Sequence, residues 1–223
     1  HRFFAGSDLQ RADQVNRLFD NPAVRAVVCV RGGYGSMRIL PFLDFNLIEN
    51  NPKIFVGFSD ISVLLFVLHT RCNLVTFHGP VVTTLANTAE QTIAAMLRVM
   101  TSNKKLEMKP EKGIVIKSGV SSGVVVGGNL TTLCHLVGTP YTPHFNGKIL
   151  FLEDRGEAPY RIDRMLTQMT LAGCFEGLKG LFLGSFEACG KRDDICQIVQ
   201  EVFKDVNIPI LSGFDIGHTR VNI

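Results

Sequence analysis

No two cysteines of this sequence are spaced as C-x-x-C, no apolar run approaches the ~18 residues that span a bilayer, and neither sign of charge accumulates along the chain. Cys29, Cys72, Cys134, Cys174, Cys189 and Cys196 stand singly, several inside apolar runs. That argues against a disulfide frame or a zinc site and suits reduced core thiols of a cytoplasmic protein. A net charge of +3 spread over 223 residues gives no case for nucleic acid or a membrane as the main partner. The nearest basic run, Lys104-Lys105 followed by Lys109, Lys112 and Lys117, is interleaved with acidic and apolar residues and reads as a solvated connector. No repeat of fixed period is visible, and tryptophan is absent. With 46% hydrophobic residues, the chain has enough for one large domain or two of about 100 residues each. It opens mid-pattern at His1-Arg2-Phe3 without an initiator methionine, which reads as a piece of a longer polypeptide.

Strand-like and helix-like segments alternate. Ser7 to Phe19 has the spacing of an amphipathic helix, and Ala23 to Val30 that of a buried strand running into Arg31-Gly32-Gly33-Tyr34-Gly35-Ser36. Met37 to Leu43 reads as a helix limited by Pro41, the β-branched and aromatic run after Pro52-Lys53 as a short buried strand, Ile61 to Leu68 as a helix packed on one face, and Leu74 to Phe77 as a strand before His78-Gly79-Pro80. Strand, helix, strand in this order predicts a Rossmann-like, doubly wound parallel sheet over residues 1–85, lacking its first strand. Residues 86–117, with one helix from Ala89 to Met100, read as a connection. A second α/β domain is expected over 118–223. Its strands are Gly123 to Val126, Lys148 to Leu152, Gly180 to Leu183 and Ile208 to Leu211, and its helices start at Gly127-Gly128-Asn129, Tyr160 and Ile195.

Ligands of such sheets sit beyond the carboxyl ends of the strands. Ser59 falls there, on a sharp strand-to-helix turn in Gly57-Phe58-Ser59-Asp60-Ile61, where a hydroxyl stands clear of the sheet and the amide of Asp60 opens a helix. The same serine would also serve as an ordinary helix cap, and the stretch is not G-x-S-x-G, because Ile61 holds the last position. A serine nucleophile needs an imidazole to take its proton and a carboxylate to hold that imidazole. Glu153, after the strand Lys148 to Leu152, and His218, in a glycine-flanked loop after Ile208 to Leu211, are the strand-end candidates. Asp154 and Glu157 compete with Glu153; His78 and His135 compete with His218, whereas His69 sits in a helical pattern and His1 and His144 have no supporting context. Gly32 or Gly33 would supply a second oxyanion donor. The competing use of that loop, phosphate cradling, lacks both the G-x-G-x-x-G spacing and a Walker lysine.

Taken together, Arg31-Gly-Gly-Tyr-Gly-Ser36, Leu40-Pro41, Leu43-Asp44, Gly57-Phe-Ser-Asp-Ile-Ser62, His78-Gly79-Pro80, Gly127-Gly-Asn-Leu130 and Leu152-Glu-Asp-x-Gly-Glu157 resemble the LD-carboxypeptidase family of serine peptidases. That family includes the muramoyl-tetrapeptide carboxypeptidases and the microcin C immunity peptidases. The resemblance runs from near residue 4 to His218. It implies a serine, glutamate, histidine triad on two domains, matched here by Ser59, Glu153 and His218, with oxyanion donors at Asp60 and at Gly32 or Gly33. It further implies a cytoplasmic carboxypeptidase that takes the terminal D-alanine from a murein tetrapeptide during peptidoglycan recycling, with no metal or other cofactor, in a chain that is often a homodimer. The microcin branch instead hydrolyses peptidyl- or aminoacyl-nucleotides; without tryptophan, a platform for the adenine would have to be Phe or Tyr. A non-catalytic domain binding an anionic ligand on its glycine loop is the reading from a different class. Arg31 and Arg155 are the candidates for holding a substrate carboxylate.

Overall fold

The computed structural model describes residues 3–110 and 112–222, and its contacts divide the chain into two compact units, residues 1–87 and 88–223. The first begins with Ser7, whose hydroxyl accepts from the Gln10 amide at 3.2 Å while the Gln10 side chain accepts from the Ser7 amide at 2.9 Å. This reciprocal cap starts helix α1 (Asp8–Asp20). Strand β1 (Ala26–Val28) follows, then α2 (Ser36–Ile39), which tightens into a 3-10 turn over Leu40–Phe42 at Pro41. Helix α3 (Phe45–Asn50) is capped by Asp44, and β2 (Ile54–Gly57) leads to α4 (Ser62–Cys72), β3 (Phe77–His78) and α5 (Val82–Leu85). The three strands form a parallel sheet in the order β1-β2-β3. The single apolar face expected of α4 proves too modest: every residue from Ser62 to Leu68 is buried. A helix that is apolar all round belongs inside, and each of its fully buried Val, Leu and Phe side chains is worth about 1.5–3 kcal/mol.

The second unit holds α6 (Glu90–Thr101), β4 (Ile114–Lys117), β5 (Val124–Asn129), α7 (Leu130–Cys134), β6 (Lys148–Arg155), α8 (Pro159–Leu171), β7 (Gly180–Glu187), α9 (Arg192–Val202) and β8 (Ile210–Ser212). Its sheet runs β4-β8-β7-β6-β5, with β5 to β8 parallel and β4 antiparallel on the β8 edge. Buried rings of Phe145, Phe175 and Phe203 meet at 6.0 and 4.9 Å in its core. Among the described residues no helix is long and apolar enough to cross a membrane.

The strand expected over Leu74 to Phe77 is only Phe77–His78, α3 and α5 are unexpected, and three further differences have identifiable reasons. Ile114–Lys117, inside the stretch taken for a connection, is a strand; as an edge strand with Val115 exposed it lacks a buried run. Gly127 and Gly128 belong to the tail of β5, where a side chain at Gly127 would run into the Phe151 carbonyl of β6, while Asn129 opens α7 as expected, its side chain accepting from the Thr132 amide at 3.0 Å. Strand β6 continues through Arg155, so Glu153 and Asp154 lie within it.

Asp154 ties three elements together. One carboxyl oxygen accepts from the Asn129 side chain at 2.9 Å and the Arg155 amide at 2.7 Å; the other accepts from the Thr131 amide and hydroxyl at 2.8 and 2.7 Å. Burial pushes this carboxyl above the usual range, with the Thr131, Arg155 and Asn129 donors pulling the other way. Asp154→Asn should turn an NH2 group toward these donors and lower the unfolding free energy by about 1–3 kcal/mol, measured by urea denaturation.

Candidate active site

The candidate residues fall into two groups, one in each unit. In the first unit all three strands deliver a candidate at their carboxyl ends: β1 the loop Arg31–Gly35, β2 Ser59, and β3 His78. The chain reaches Ser59 through an extended Phe58 (φ −154°, ψ −177°) and reverses there at φ +63°. A serine in the left-handed region costs of order 1–3 kcal/mol and persists only where its surroundings impose it. Gly57 is part of that imposition, because a Cβ there would stand 2.5 Å from Ile61 Cγ2. The elbow thus accommodates Ile61, where G-x-S-x-G has its second glycine, by leaving room at the first.

Ser59 is not a cap. Phe58 occupies that position for the 3-10 turn Ser59–Ile61, Ile61 occupies it for α4, and neither start has a side-chain cap bond. The amide of Asp60 lies in the first turn of this start, where intrahelical acceptors are lacking. Gly32 passes so close that a Cβ there would be 2.8 Å from Ser59 Cβ and 3.2 Å from its hydroxyl. The loop and the serine are therefore neighbours, as their strand-end positions suggest. Arg31 is exposed, with Nε 3.4 Å from where a Gly33 Cβ would be.

In the second unit, Glu153 has no exposed surface, and its Oε2 lies 2.7 Å from His218 Nδ1. The loop that brings His218 there is built for close approach. A Cβ on Gly217, at φ +137°, would lie 2.9 Å from Glu153 Oε2 and collide with Ser185 Oγ. The Ile216 carbonyl accepts from the Ser185 amide at 2.8 Å and the Ser185 hydroxyl at 3.2 Å. The Gly217 amide donates to Asn222 Oδ1 at 3.0 Å, and the Asn222 amide donates to Thr92 Oγ1 of α6 at 2.9 Å. With Nδ1 against the carboxylate, a neutral ring carries its proton there and its lone pair on Nε2.

The competitors go elsewhere. Asp154 is occupied with Asn129, Thr131 and Arg155, and Glu157 pairs with Arg161 at 3.4 Å. His78 meets the Phe58 ring edge-on at 6.0 Å, His69 Nδ1 lies 3.2 Å from the Leu74 carbonyl, His135 and His144 are exposed, and His1 lies outside the described residues. Arg155 Nε pairs with Glu187 at 3.1 Å across β6 and β7. All six cysteines are free; burial pushes Cys29 up to about 12 and Cys72 and Cys134 to about 11, so these thiols stay protonated at neutral pH. Among the described residues no group of three His, Cys, Asp or Glu side chains is placed to hold a metal ion.

Sequence reasoning missed the supports. Asn222 and Thr92 are 130 residues apart, and no local pattern announces such a pair. The carboxylate of Asp60 also went unread beside its amide, although it accepts from the Ser36 amide at 2.8 Å.

Comparison with known proteins agrees with this architecture. Residues 1–79 match the model of the LD-carboxypeptidase N-terminal domain, and residues 122–223 that of the C-terminal domain. The chain is 36% identical over its full length to a probable murein peptide carboxypeptidase of Bacillus subtilis, of which it covers 73%. Among solved structures it superposes on a muramoyltetrapeptide carboxypeptidase from Oxalobacter formigenes with a TM-score of 0.86 at 35% identity, spanning 100% of this chain and 79% of that one. An MccF-like protein from Bacillus anthracis gives a TM-score of 0.89 at 29% identity, spanning 100% and 77%. Joined to the two domain matches, these likenesses establish that the chain belongs to the LD-carboxypeptidase family.

Proposed function

We propose that this carboxypeptidase removes the terminal D-alanine from a murein tetrapeptide by a serine, histidine, glutamate mechanism. The observation that carries the reading is the 2.7 Å contact between His218 Nδ1 and the fully buried Glu153. Such a contact sets the imidazole tautomer and stabilises the imidazolium formed in the reaction. Ser59 Oγ attacks the carbonyl carbon of the diaminopimelate-D-alanine bond as its proton passes to His218 Nε2. The amides of Asp60 and of the glycine loop, at Gly32 or Gly33, take the charge on the carbonyl oxygen. The C–N bond breaks, His218 returns the proton to the leaving amine, and D-alanine departs from a serine ester. Water, deprotonated by the same imidazole, then hydrolyses the ester and restores the hydroxyl. The strained φ of Ser59 and the close pass of Gly32 support this use of the first unit's strand ends.

A free substrate carboxylate needs a cation or a set of amides. Arg31, exposed beside the glycine loop, suits that role better than Arg155, whose guanidinium already pairs with Glu187. The murein substrate follows from the likeness to the Bacillus subtilis and Oxalobacter formigenes proteins. We place the reaction in the cytoplasm as a step of peptidoglycan recycling, a reading consistent with six free cysteines, four of them buried. A second substrate, an aminoacyl-nucleotide, is supported by the likeness, at 28% identity, to the microcin C7 self-immunity protein MccF, solved in complex with aspartyl sulfamoyl adenosine.

Ser59→Ala and His218→Ala should each lose at least about a thousandfold in kcat for D-alanine release from murein tetrapeptide, with unchanged circular dichroism. Wild-type turnover by Ser59→Ala would overturn the mechanism. Tetrapeptide and an aminoacyl-sulfamoyl adenosine, assayed side by side on the wild-type protein, should give the higher kcat/KM for the tetrapeptide; the reverse order would move the assignment to the nucleotide branch.

A further inference from the structure

The Gly35–Ser36 peptide group is held from both sides. Its carbonyl accepts from Arg11 Nη1 at 3.2 Å, and its N–H donates to Asp60 Oδ2 at 2.8 Å. Asp60 directly follows Ser59, so its carboxylate reaches from the elbow back into the glycine loop. Arg11 is held in turn by Asp8 at 2.6 Å and lies over the Phe4 ring at 4.7 Å, with only 16% of its side chain exposed. Asp8 also takes Arg38 of α2 at 2.8 Å, and the two guanidiniums, Arg38 foremost, hold its carboxyl below the usual range.

Such a clamp answers a specific weakness of the loop. Gly33 and Gly35 lie at φ +86° and +110°, and glycine peptides exchange between left- and right-handed conformations at little steric cost. A loop that offers amides to a developing oxyanion must keep them oriented before the reaction starts, because preorganisation is the source of their effect. Gly32, at one end of the loop, rests against Ser59; Ser36, at the other, is buried and bonded to Asp60. Both ends of the loop are thus referred to two consecutive residues of the elbow.

We infer that the Asp60 carboxylate is a positioning residue, which together with Arg11 locks the Gly35–Ser36 peptide and so holds the glycine-loop amides in register with the Ser59 hydroxyl. The inference rests on the proposed oxyanion role of that loop. Asp60 acts here as the hydrogen-bond acceptor of the Ser36 amide.

The test measures D-alanine release from murein tetrapeptide by the wild type, Asp60→Ala, Asp60→Asn, Arg11→Met and the Asp60→Ala/Arg11→Met double variant. Asp60→Ala should lose about a hundredfold in kcat with KM within about threefold, as when an oxyanion donor is displaced. Asp60→Asn keeps an acceptor for the Ser36 amide and should recover most of that loss. Arg11→Met acts on the other side of the same peptide, so the double variant should lose less than the product of the two single losses. A tripeptide boronic acid, which mimics the tetrahedral intermediate, should lose affinity for Asp60→Ala by about the factor lost in kcat/KM. Should Asp60→Ala fail to fold, Arg11→Met carries the same kcat and boronate readouts. The inference falls if Asp60→Ala keeps wild-type kcat, if Asp60→Asn is as poor as Asp60→Ala, or if only KM moves. An inactive Ser59→Ala beside a fully active Asp60→Ala would leave the serine mechanism standing and remove this inference alone. An active Ser59→Ala would remove the mechanism itself.

Discussion

A carboxylate with no exposed surface costs several kcal/mol to bury unless a donor meets it, and at Glu153 that donor is His218. Much of the second unit is arranged around this one contact. Parallel pairing with β5 and β7 fixes where β6 carries the glutamate, and β8 feeds the loop that crosses back over it. Ser185 holds that loop by its Ile216 carbonyl, Asn222 by its Gly217 amide, and the missing side chain at Gly217 lets the backbone come against the carboxyl. The neighbouring Asp154 points to the other side of the strand and serves architecture, which separates two adjacent acids by the alternation of a strand.

The first unit solves a different problem with backbone alone. Its nucleophile candidate is presented by conformation: an extended residue, a left-handed serine, then a tight helical turn, all made possible by space at Gly57. Behind it, α4 is buried on every side from Ser62 to Leu68. A strained residue mounted on such an element has little scope to relax.

Much of this was legible in the sequence, because strand ends in parallel α/β folds are marked by glycine and by sudden polarity. Ser59, Gly32, Glu153 and His218 each sit at such a transition, and the structure puts Gly32 against Ser59 and Glu153 against His218. What escaped was non-local or masked by exposure. Strand β4 is a half-exposed edge with a register shift, so its four residues show no buried run. The glycines of β5 read as part of a helix start, although Gly127 is still in the strand, where the neighbouring backbone is too close for a side chain. The choice among Glu153, Asp154 and Glu157 depends on which way each side chain leaves β6 and the loop after it, and three acids within five positions do not show that.

The link from Asn222 to Thr92 carries the support of His218 beyond the sheet. Helix α6 carries none of the candidate chemistry, yet through one threonine hydroxyl and one asparagine it is moored to the backbone amide beside His218. The imidazole is therefore suspended from two directions, the sheet on one side and a helix more than a hundred residues upstream on the other. Thr92 is the buried residue of that helix, so a change at this one position, remote from the reacting atoms, would reach the imidazole through two hydrogen bonds.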